Sequence, residues 1–73
     1  MFCGKRLKHL RITNNMKQKQ LADKLQISKG CISRYERGIR QPNLHTVLKI
    51  SVVFNVSTDY LLGRDLLVES ILK

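Results

Sequence analysis

The side chains in this chain that are best suited to binding a partner are cationic. Fourteen Lys and Arg residues stand against five Asp and Glu residues in 73 positions, which gives a formal net charge of +9. Residues 1–42 hold eleven of these cations and two of the carboxylates, whereas residues 43–73 hold three of each and are neutral. Because a one-sided positive field attracts polyanions, the charge predicts a polyanionic partner for the first half of the chain. A basic surface that only aids solubility is the alternative.

The residue types that build metal sites and catalytic centres are few and poorly spaced. Cys3 and Cys31 lie far apart in the sequence, and His9 and His45 do not complete a zinc-binding spacing with them. Glu36 and His45 could form an acid–base couple, but no nucleophile is placed beside them and no phosphate-binding glycine loop is present. We therefore expect no metal, no cofactor, no small-molecule ligand and no enzymatic activity.

The chain carries no apparent targeting or membrane-spanning signal. Its longest apolar runs are a few residues, and its start has neither an apolar signal-peptide core nor a cleavage signal. Both thiols are therefore expected to stay reduced, with the protein in the cytoplasm.

The elements that must position these side chains are helices. Apolar residues recur every three or four positions, and no stretch alternates for long enough to form a strand. A chain this short makes one small domain with a minimal core, so the expected fold is compact and all-α. Five helices are predicted: residues 5–14, 18–25, 28–37, one between Asn43 and Asn55, and one between Ser57 and Gly63.

Local signals define how these helices begin and which faces they bury. Ser28, Asn43 and Ser57 are good N-caps, whereas Lys17 is a poor one. The inward residues are predicted to be Leu7, Leu10, Arg11, Leu21, Ala22, Leu25, Ile32, Tyr35, Glu36, Leu44, Val47, Leu48, Ser51 and Phe54. The outer face of the first helix is predicted to carry Lys5, Arg6, Lys8 and His9.

The segment from Gln18 to Arg37 has the spacing of a helix-turn-helix unit. Two short helices are joined by a break of two or three residues, with the small Ala22 where the helices cross and Ile27 covering the turn. This arrangement leaves the outer face of the second helix free to enter the major groove of DNA.

Residues from Leu7 to Gly63 include an ordered set of short motifs: Leu10-Arg11, Gln18, Leu21-Ala22, Lys24-Leu25, Ile27-Ser28, Ile32-Ser33, Tyr35-Glu36-Arg37-Gly38, Pro42, Leu44, Leu48, Phe54-Asn55-Val56-Ser57 and Tyr60-Leu61-Leu62-Gly63. This set, with its spacings, resembles the Xre family of lambda-repressor-like, or Cro-type, helix-turn-helix regulators. The resemblance implies a five-helix DNA-binding domain over residues 1–63 that binds operator DNA as a dimer. Gln26 departs from the family, which usually has Gly in this turn, and Lys17 departs from a Ser or Thr cap.

The resemblance also implies roles for individual side chains. The start of the third helix is expected to face base edges through Lys29, Gly30, Ser33 and Arg34, with Gly30 permitting close approach. Phosphate contacts are expected from Gln18, Arg37, Arg40, Gln41 and Asn43. Glu36 points inward, where a carboxylate needs a partner, and the family pairs it with the arginine of the first helix, here Arg11, as a structural ion pair. An inert surface pair is the alternative.

Residues 64–73 form an amphipathic tail beyond this domain. Leu67, Val68, Ile71 and Leu72 recur at helical spacing, with Glu69 off the stripe. We expect this tail to act as a dimerisation element, and folding back onto its own core is the alternative. A chain ending here is expected to lack a ligand-sensing or self-cleaving second domain.

The predicted function is a cytoplasmic transcriptional regulator, a repressor, that inserts its third helix into the major groove of double-stranded DNA. As a homodimer it would bind a pseudo-palindromic operator. Two alternatives stay open. One is an antitoxin-type protein that also binds a toxin, and the other is a protein-interaction module that does not bind DNA.

Overall fold

The computed structural model describes residues 2–66 and residue 71. It contains α1 (Gly4–Thr13), α2 (Gln18–Leu25), α3 (Lys29–Glu36), α4 (Leu44–Phe54) and α5 (Thr58–Leu62), and residues 64–66 are also helical. The described part of the chain has no strand, so the predicted all-α fold is confirmed. The predicted bounds of the second helix match those of α2, and the predicted bounds of the first and third helices differ from those of α1 and α3 by one residue at each end. Within the same part of the chain, no helix has both the length and the apolar content to span a membrane.

Side-chain caps explain where three of the helices begin. The side-chain oxygens of Ser28, Asn43 and Ser57 each accept the backbone N–H three residues further on, at donor–acceptor distances of 3.1, 2.9 and 3.0 Å. Each bond satisfies one of the N–H groups that a helix leaves free at its start. These are the caps that the sequence predicted for α3, α4 and α5.

The second helix begins without a side-chain cap of this kind. Lys17 offers no acceptor, and the amide oxygen of Gln20 instead accepts the backbone N–H of Lys17 at 2.7 Å. This is one half of a capping box. Met16 packs against the core just before α2, where it acts as a hydrophobic staple.

The turn between α2 and α3 forces one side chain into the left-handed region. Gln26 has a φ of 58° and a ψ of 41°, which lets the N–H of Ile27 reach the carbonyl oxygen of Ala22 at 3.0 Å. Ala22 is 2% exposed, and Ile27 packs against the core from the turn. The predicted helix-turn-helix packing is therefore present, with a residue other than glycine at its tightest position.

The core draws on every helix. Its buried apolar members are Phe2, Leu7, Leu21, Ala22, Leu25, Ile32, Tyr35, Val47, Ile50 and Leu61. Because so small a domain has little apolar surface to bury, each of these side chains contributes a large share of the stability.

The predicted inner face of α4 is correct at Val47, which is 3% exposed, and Phe54 packs against the core as expected. The prediction is wrong at Leu44 and Leu48, which were expected inside but are 70% and 47% exposed. The helix buries Thr46 and Ile50 beside Val47. Apolar residues lie around most of the circumference of α4, so their spacing does not select one face, and packing against the other helices makes the choice.

An N-terminal segment that the sequence did not indicate closes the core. Phe2 is buried edge-on against Tyr35, with ring centroids 6.4 Å apart, and the backbone N–H of Cys3 donates to the Leu61 carbonyl at 2.7 Å. A Cβ at Gly4 would overlap the carbonyl oxygen of Tyr35, so the glycine is what allows α1 to start this close to α3.

Arg6 holds the residues after α5 against α1. Its guanidinium lies over the Tyr60 ring at 4.3 Å, and its Nη1 donates to the Tyr60 carbonyl and to the Asp65 carboxylate, both at 2.7 Å. The hydrogen bond from Arg6 lowers the pKa of Asp65 below its usual value. The sequence placed Arg6 on the outer face of the first helix, but its side chain is 18% exposed.

The apolar stripe predicted for the tail falls mostly on residues that the structure does not describe. Leu67, Val68 and Leu72 lie outside the described residues, and Ile71 is 72% exposed. The dimerisation role of residues 64–73 therefore stays a prediction.

Replacing Gln26 by glycine is expected to raise the free energy of unfolding by about 1 kcal/mol, because glycine adopts the left-handed region without a Cβ clash. Chemical denaturation followed by circular dichroism measures the change. Lys8→Gly, at an exposed position inside α1, is the control and should lower the free energy of unfolding by about 1 kcal/mol. Destabilisation by both substitutions would contradict strain at Gln26.

Candidate nucleic-acid interface

The side chains predicted to contact bases lie along one side of α3. The opposite side of this helix is buried through Ile32, Tyr35 and Glu36. Lys29 is exposed, and Gly30, Ser33 and Arg34 are half-buried. Lys29 and Ser33 are four residues apart, as are Gly30 and Arg34, so the four positions share one face of the helix.

Arg34 folds back along α3 toward the start of the helix. A Cβ at Gly30 would lie 3.4 Å from both terminal guanidinium nitrogens of Arg34, and Nη2 lies 4.0 Å from the Cys31 sulfur. Two cations, Lys29 and Arg34, are thereby concentrated near the first turn of the helix. A side chain longer than a methyl group at Gly30 would compete with the guanidinium for this space, a role that the sequence did not reveal.

The same turn changes the acidity of Cys31. A hydrogen bond with the Ser28 hydroxyl is the largest cause that lowers the pKa of this thiol, and the Arg34 guanidinium lowers it further. Both groups stabilise the thiolate, so the first turn of α3 is an electropositive environment.

The predicted phosphate-binding residues after α3 form an exposed border. Arg37, Arg40, Gln41 and Asn43 are all exposed. Gln41 accepts the Phe2 backbone N–H at 2.9 Å, and Asn43 caps α4 through its side-chain oxygen. Both bonds use the amide oxygen, so each residue keeps its NH2 group as a donor.

Arg11, Gln18 and Glu36 form a buried network where three helices meet. Arg11 donates to both carboxylate oxygens of Glu36, from Nε at 2.6 Å and from Nη2 at 3.1 Å. Gln18 Nε2 adds a third hydrogen bond to Glu36 at 3.1 Å. The side chains of Arg11 and Glu36 are 11% and 3% exposed, so this is a buried bidentate ion pair.

This network fixes the start of α2 relative to α3. Arg11 lies near the end of α1 and also donates to the Met16 carbonyl at 2.8 Å, which holds the turn before α2. Gln18 is the first residue of α2, and Glu36 is the last of α3. Gln18 was predicted to bind a phosphate, but one of its amide hydrogens is directed at Glu36. The backbone N–H groups of the first turn and the other amide hydrogen remain as donors.

Sequence reasoning missed a second contact that holds α2. The ammonium of Lys49 donates to the carbonyl oxygen of Leu25, the last residue of α2, at 2.8 Å. A cation at this end of a helix complements its dipole and one of its free carbonyl groups. The signal in the sequence is that Lys49 is the only Lys or Arg in α4.

No group of three His, Cys, Asp or Glu side chains within residues 2–66 is arranged to hold a metal ion.

A helix-turn-helix family model matches residues 7–61, which covers all of α2 and α3 and most of the domain. The chain belongs to the Xre, or lambda-repressor-like, helix-turn-helix family. In this family the pair α2 and α3 is the helix-turn-helix unit, as the spacing from Gln18 to Arg37 predicted.

Individual relatives agree with the family assignment. The chain is 51% identical over 65 residues to the HTH-type transcriptional regulator ImmR of Bacillus subtilis (strain 168), covering 89% of this chain and 51% of ImmR. It is 38% identical over 68 residues to the HTH-type transcriptional activator BcrR of Enterococcus faecalis, covering 93% of this chain and 33% of BcrR. The chain thus spans about half or less of the length of these relatives.

A solved structure shares the fold of this chain. The P22 c2 repressor, in complex with a synthetic operator, superposes with a TM-score of 0.78 at 30% identity, covering 84% of this chain and 92% of that one. The fold is therefore that of a lambda-repressor-like domain.

Replacing Glu36 by alanine is expected to lower the free energy of unfolding by about 3–5 kcal/mol, because it leaves the Arg11 guanidinium buried without its counter-ion. Urea denaturation measures the difference. Asp23→Ala is the control, since it breaks the Lys19–Asp23 pair, whose side chains are 75% and 68% exposed. That loss should stay below about 1 kcal/mol. Similar effects of the two substitutions would contradict a structural role for the buried pair.

Proposed function

We propose that this protein is a cytoplasmic transcriptional regulator that binds specific sites in double-stranded DNA by inserting α3 into the major groove. The observation that carries the proposal is the geometry of α3. Its inner side is fixed in the core through Ile32, Tyr35 and Glu36, and its opposite side presents Lys29, Ser33 and Arg34. A rigid helix with an accessible cationic face is what major-groove recognition requires. Neither catalysis nor a cofactor is part of the proposal.

Base recognition is assigned to the start of α3. Arg and Lys side chains donate to the O6 and N7 atoms of guanine, and each such contact discriminates against a wrong base by about 1–3 kcal/mol. Arg34 has the fork geometry for a bidentate contact, and Lys29 adds a second cation. Ser33 can donate to or accept from a base edge. Gly30 reads no base, but it allows the groove edge to approach the helix backbone.

Phosphate contacts near the end of α3 would set the register of the domain. One group of donors is the N-terminus of α2, where free N–H groups and the helix dipole favour an anion. It includes Gln18, which donates a hydrogen bond to Glu36 at the end of α3. The other group is the exposed set Arg37, Arg40, Gln41 and Asn43. Such contacts set affinity and orientation but carry no sequence information.

We infer that the protein binds as a homodimer to a two-fold-related operator and acts as a repressor. Two copies of α3 must meet the major groove on the same side of the duplex, so half-site centres should lie about 10–10.5 base pairs apart or a multiple of that distance. A regulator that occupies a promoter represses by excluding other proteins from it, which requires no further surface on this domain.

The experiment that tests the proposal is selection of bound duplexes from a random pool, repeated at several salt concentrations. It should return a symmetric site. The logarithm of the binding constant should fall with the logarithm of salt concentration, with a slope of roughly −0.9 for each phosphate contact. Recovery of no preferred sequence would overturn specific regulation and leave only nonspecific DNA binding.

The double substitution Lys29→Ala with Arg34→Ala is expected to weaken binding to the selected duplex by about a hundredfold and to flatten its preference for that sequence. The matched control is Lys5→Ala with Lys8→Ala, which removes the same charge from exposed positions on α1. That control should weaken binding to all duplexes alike and only modestly. Fluorescence anisotropy with labelled duplexes measures both. Undiminished binding by the α3 variant would exclude α3 as the element that reads DNA.

Deletion of residues 64–73 is expected to abolish self-association, which sedimentation equilibrium measures, if the tail is the dimerisation element. A shorter deletion of residues 67–73 keeps the Arg6–Asp65 contact and separates loss of the apolar stripe from loss of that anchor. Both truncated proteins should sediment as monomers at concentrations where the full chain is dimeric. Unchanged association would assign the dimer interface elsewhere.

A further inference from the structure

The side of α4 that faces away from the core forms the floor of a groove. Leu48, Val52 and Val53 are 47%, 80% and 37% exposed, although all three are large apolar residues. Together with the end of α2 they enclose a groove of about 410 Å³. This is the face that the sequence had assigned in part to the core. A group of exposed apolar side chains that lines a groove is a candidate interaction site.

The rim of this groove carries positive charge. Lys24, His45 and Lys49 complete its lining, and none of the carboxylates within residues 2–66 belongs to it. One hydrogen of the Lys49 ammonium is used on the Leu25 carbonyl, which leaves two further donors. We call this surface of Lys24, His45, Leu48, Lys49, Val52 and Val53 the α4 groove.

The α4 groove lies apart from the surface proposed to bind DNA. None of its six residues belongs to the set assigned to bases or phosphates. Lys24 is in the last turn of α2, roughly 9 Å along the helix from Gln18 at the opposite end. An occupant of this groove would therefore engage the domain at a place of its own.

We propose that the α4 groove binds an acidic amphipathic helix of another protein. A helix can lay apolar side chains at i, i+3, i+4 and i+7 onto Leu48, Val52 and Val53, which are themselves on a helix. Carboxylates flanking that apolar stripe would then meet Lys24 and Lys49 at the rim. The inference goes beyond DNA recognition and does not depend on it.

Charge argues against the tail of a second copy as the occupant. Residues 64–73 contain Arg64 and Lys73 beside Asp65 and Glu69, so the segment is neutral. Asp65 is already paired with Arg6 at 2.7 Å, and Arg64 with Asp59 at 3.6 Å. The tail therefore brings one further carboxylate, Glu69, and one further cation, Lys73, so it has no net negative charge to offer a cationic rim.

The apolar floor argues against DNA as the occupant. Phosphate groups would leave Leu48, Val52 and Val53 facing a charged, hydrated backbone, so binding DNA would not bury their apolar surface. A protein helix satisfies both the floor and the rim.

The test uses the full chain and a labelled synthetic helix of roughly 14 residues, with leucine at the i, i+3, i+4 and i+7 positions and glutamate on both flanks. A second peptide has lysine at every glutamate position and the same apolar stripe. Fluorescence anisotropy at low salt should give at least about tenfold tighter binding for the glutamate peptide, because several charge pairs are gained instead of repelled.

Two pairs of variants locate the binding site. Val52→Asp should weaken binding of the glutamate peptide by about tenfold, since it places a charge on the apolar floor. Its control is Ile12→Asp at a 53% exposed position on α1. Lys24→Glu should weaken binding by about fivefold, and its control Lys8→Glu makes the same charge change outside the groove. Neither control should change affinity by more than about twofold.

Five outcomes would overturn the proposal. Four concern the peptides and the variants: failure of the glutamate peptide to bind, equal binding of the two peptides, equal losses of affinity in the Lys24 and Lys8 variants, and tighter binding of a peptide with the sequence of residues 64–73. Displacement of the glutamate peptide by duplex DNA from wild type, but not from the α3 double variant, would assign the peptide to the DNA surface and also overturn it. Val52→Asp should keep its affinity for a selected duplex, so failure of the groove and failure of DNA recognition are distinguished.

Discussion

The buried carboxylate of Glu36 is the constraint on which the arrangement of the helix-turn-helix unit depends. A charge removed from water is stable only when its hydrogen bonds are completed, and here three donors complete them. Arg11 comes from α1 and supplies two of them, and Gln18 at the start of α2 supplies the third. Since Glu36 ends α3, three helices meet at one charge, and the start of α2 is fixed relative to the outer face of α3.

The placement of ion pairs in the domain also shapes its electrostatic field. The described carboxylates pair with Arg6, Arg11, Lys19 and Arg64. Within the described residues, none of these pairs involves Lys29, Arg34, Arg37 or Arg40. The cations of α3 and of the loop after it are therefore available to pair with the anion of a binding partner. The net charge of +9 means that cations outnumber carboxylates, so most Lys and Arg side chains have no carboxylate partner. These unpaired cations produce the positive electrostatic field of the domain.

A domain this small closes its core with contacts made at the ends of its chain and of its helices. Phe2 covers one side against Tyr35, and Gly4, the first residue of α1, lets that helix approach the end of α3. Arg6 joins α1 to the Tyr60 ring and to Asp65. Each contact involves residues far apart in the chain, so each adds stability only once the fold is formed. The same packing leaves one side of α4 uncovered, which produces the groove beside α2.

Local chemistry in the sequence determined the helices, their caps and the helix-turn-helix spacing. Ser28, Asn43 and Ser57 cap helices because their side chains reach a backbone N–H three residues away, which needs no tertiary contact. The burial of Ile32 and Glu36 follows from helical periodicity, because α3 has a single apolar side. Only tertiary structure decided which face of α4 is buried, because apolar residues surround that helix and the choice depends on its neighbours. Tertiary structure also decided the contacts of Gln18, Lys49 and Arg6. The periodicity of a helix shows which face a long polar side chain leaves from, but it does not show which group on another helix that side chain reaches.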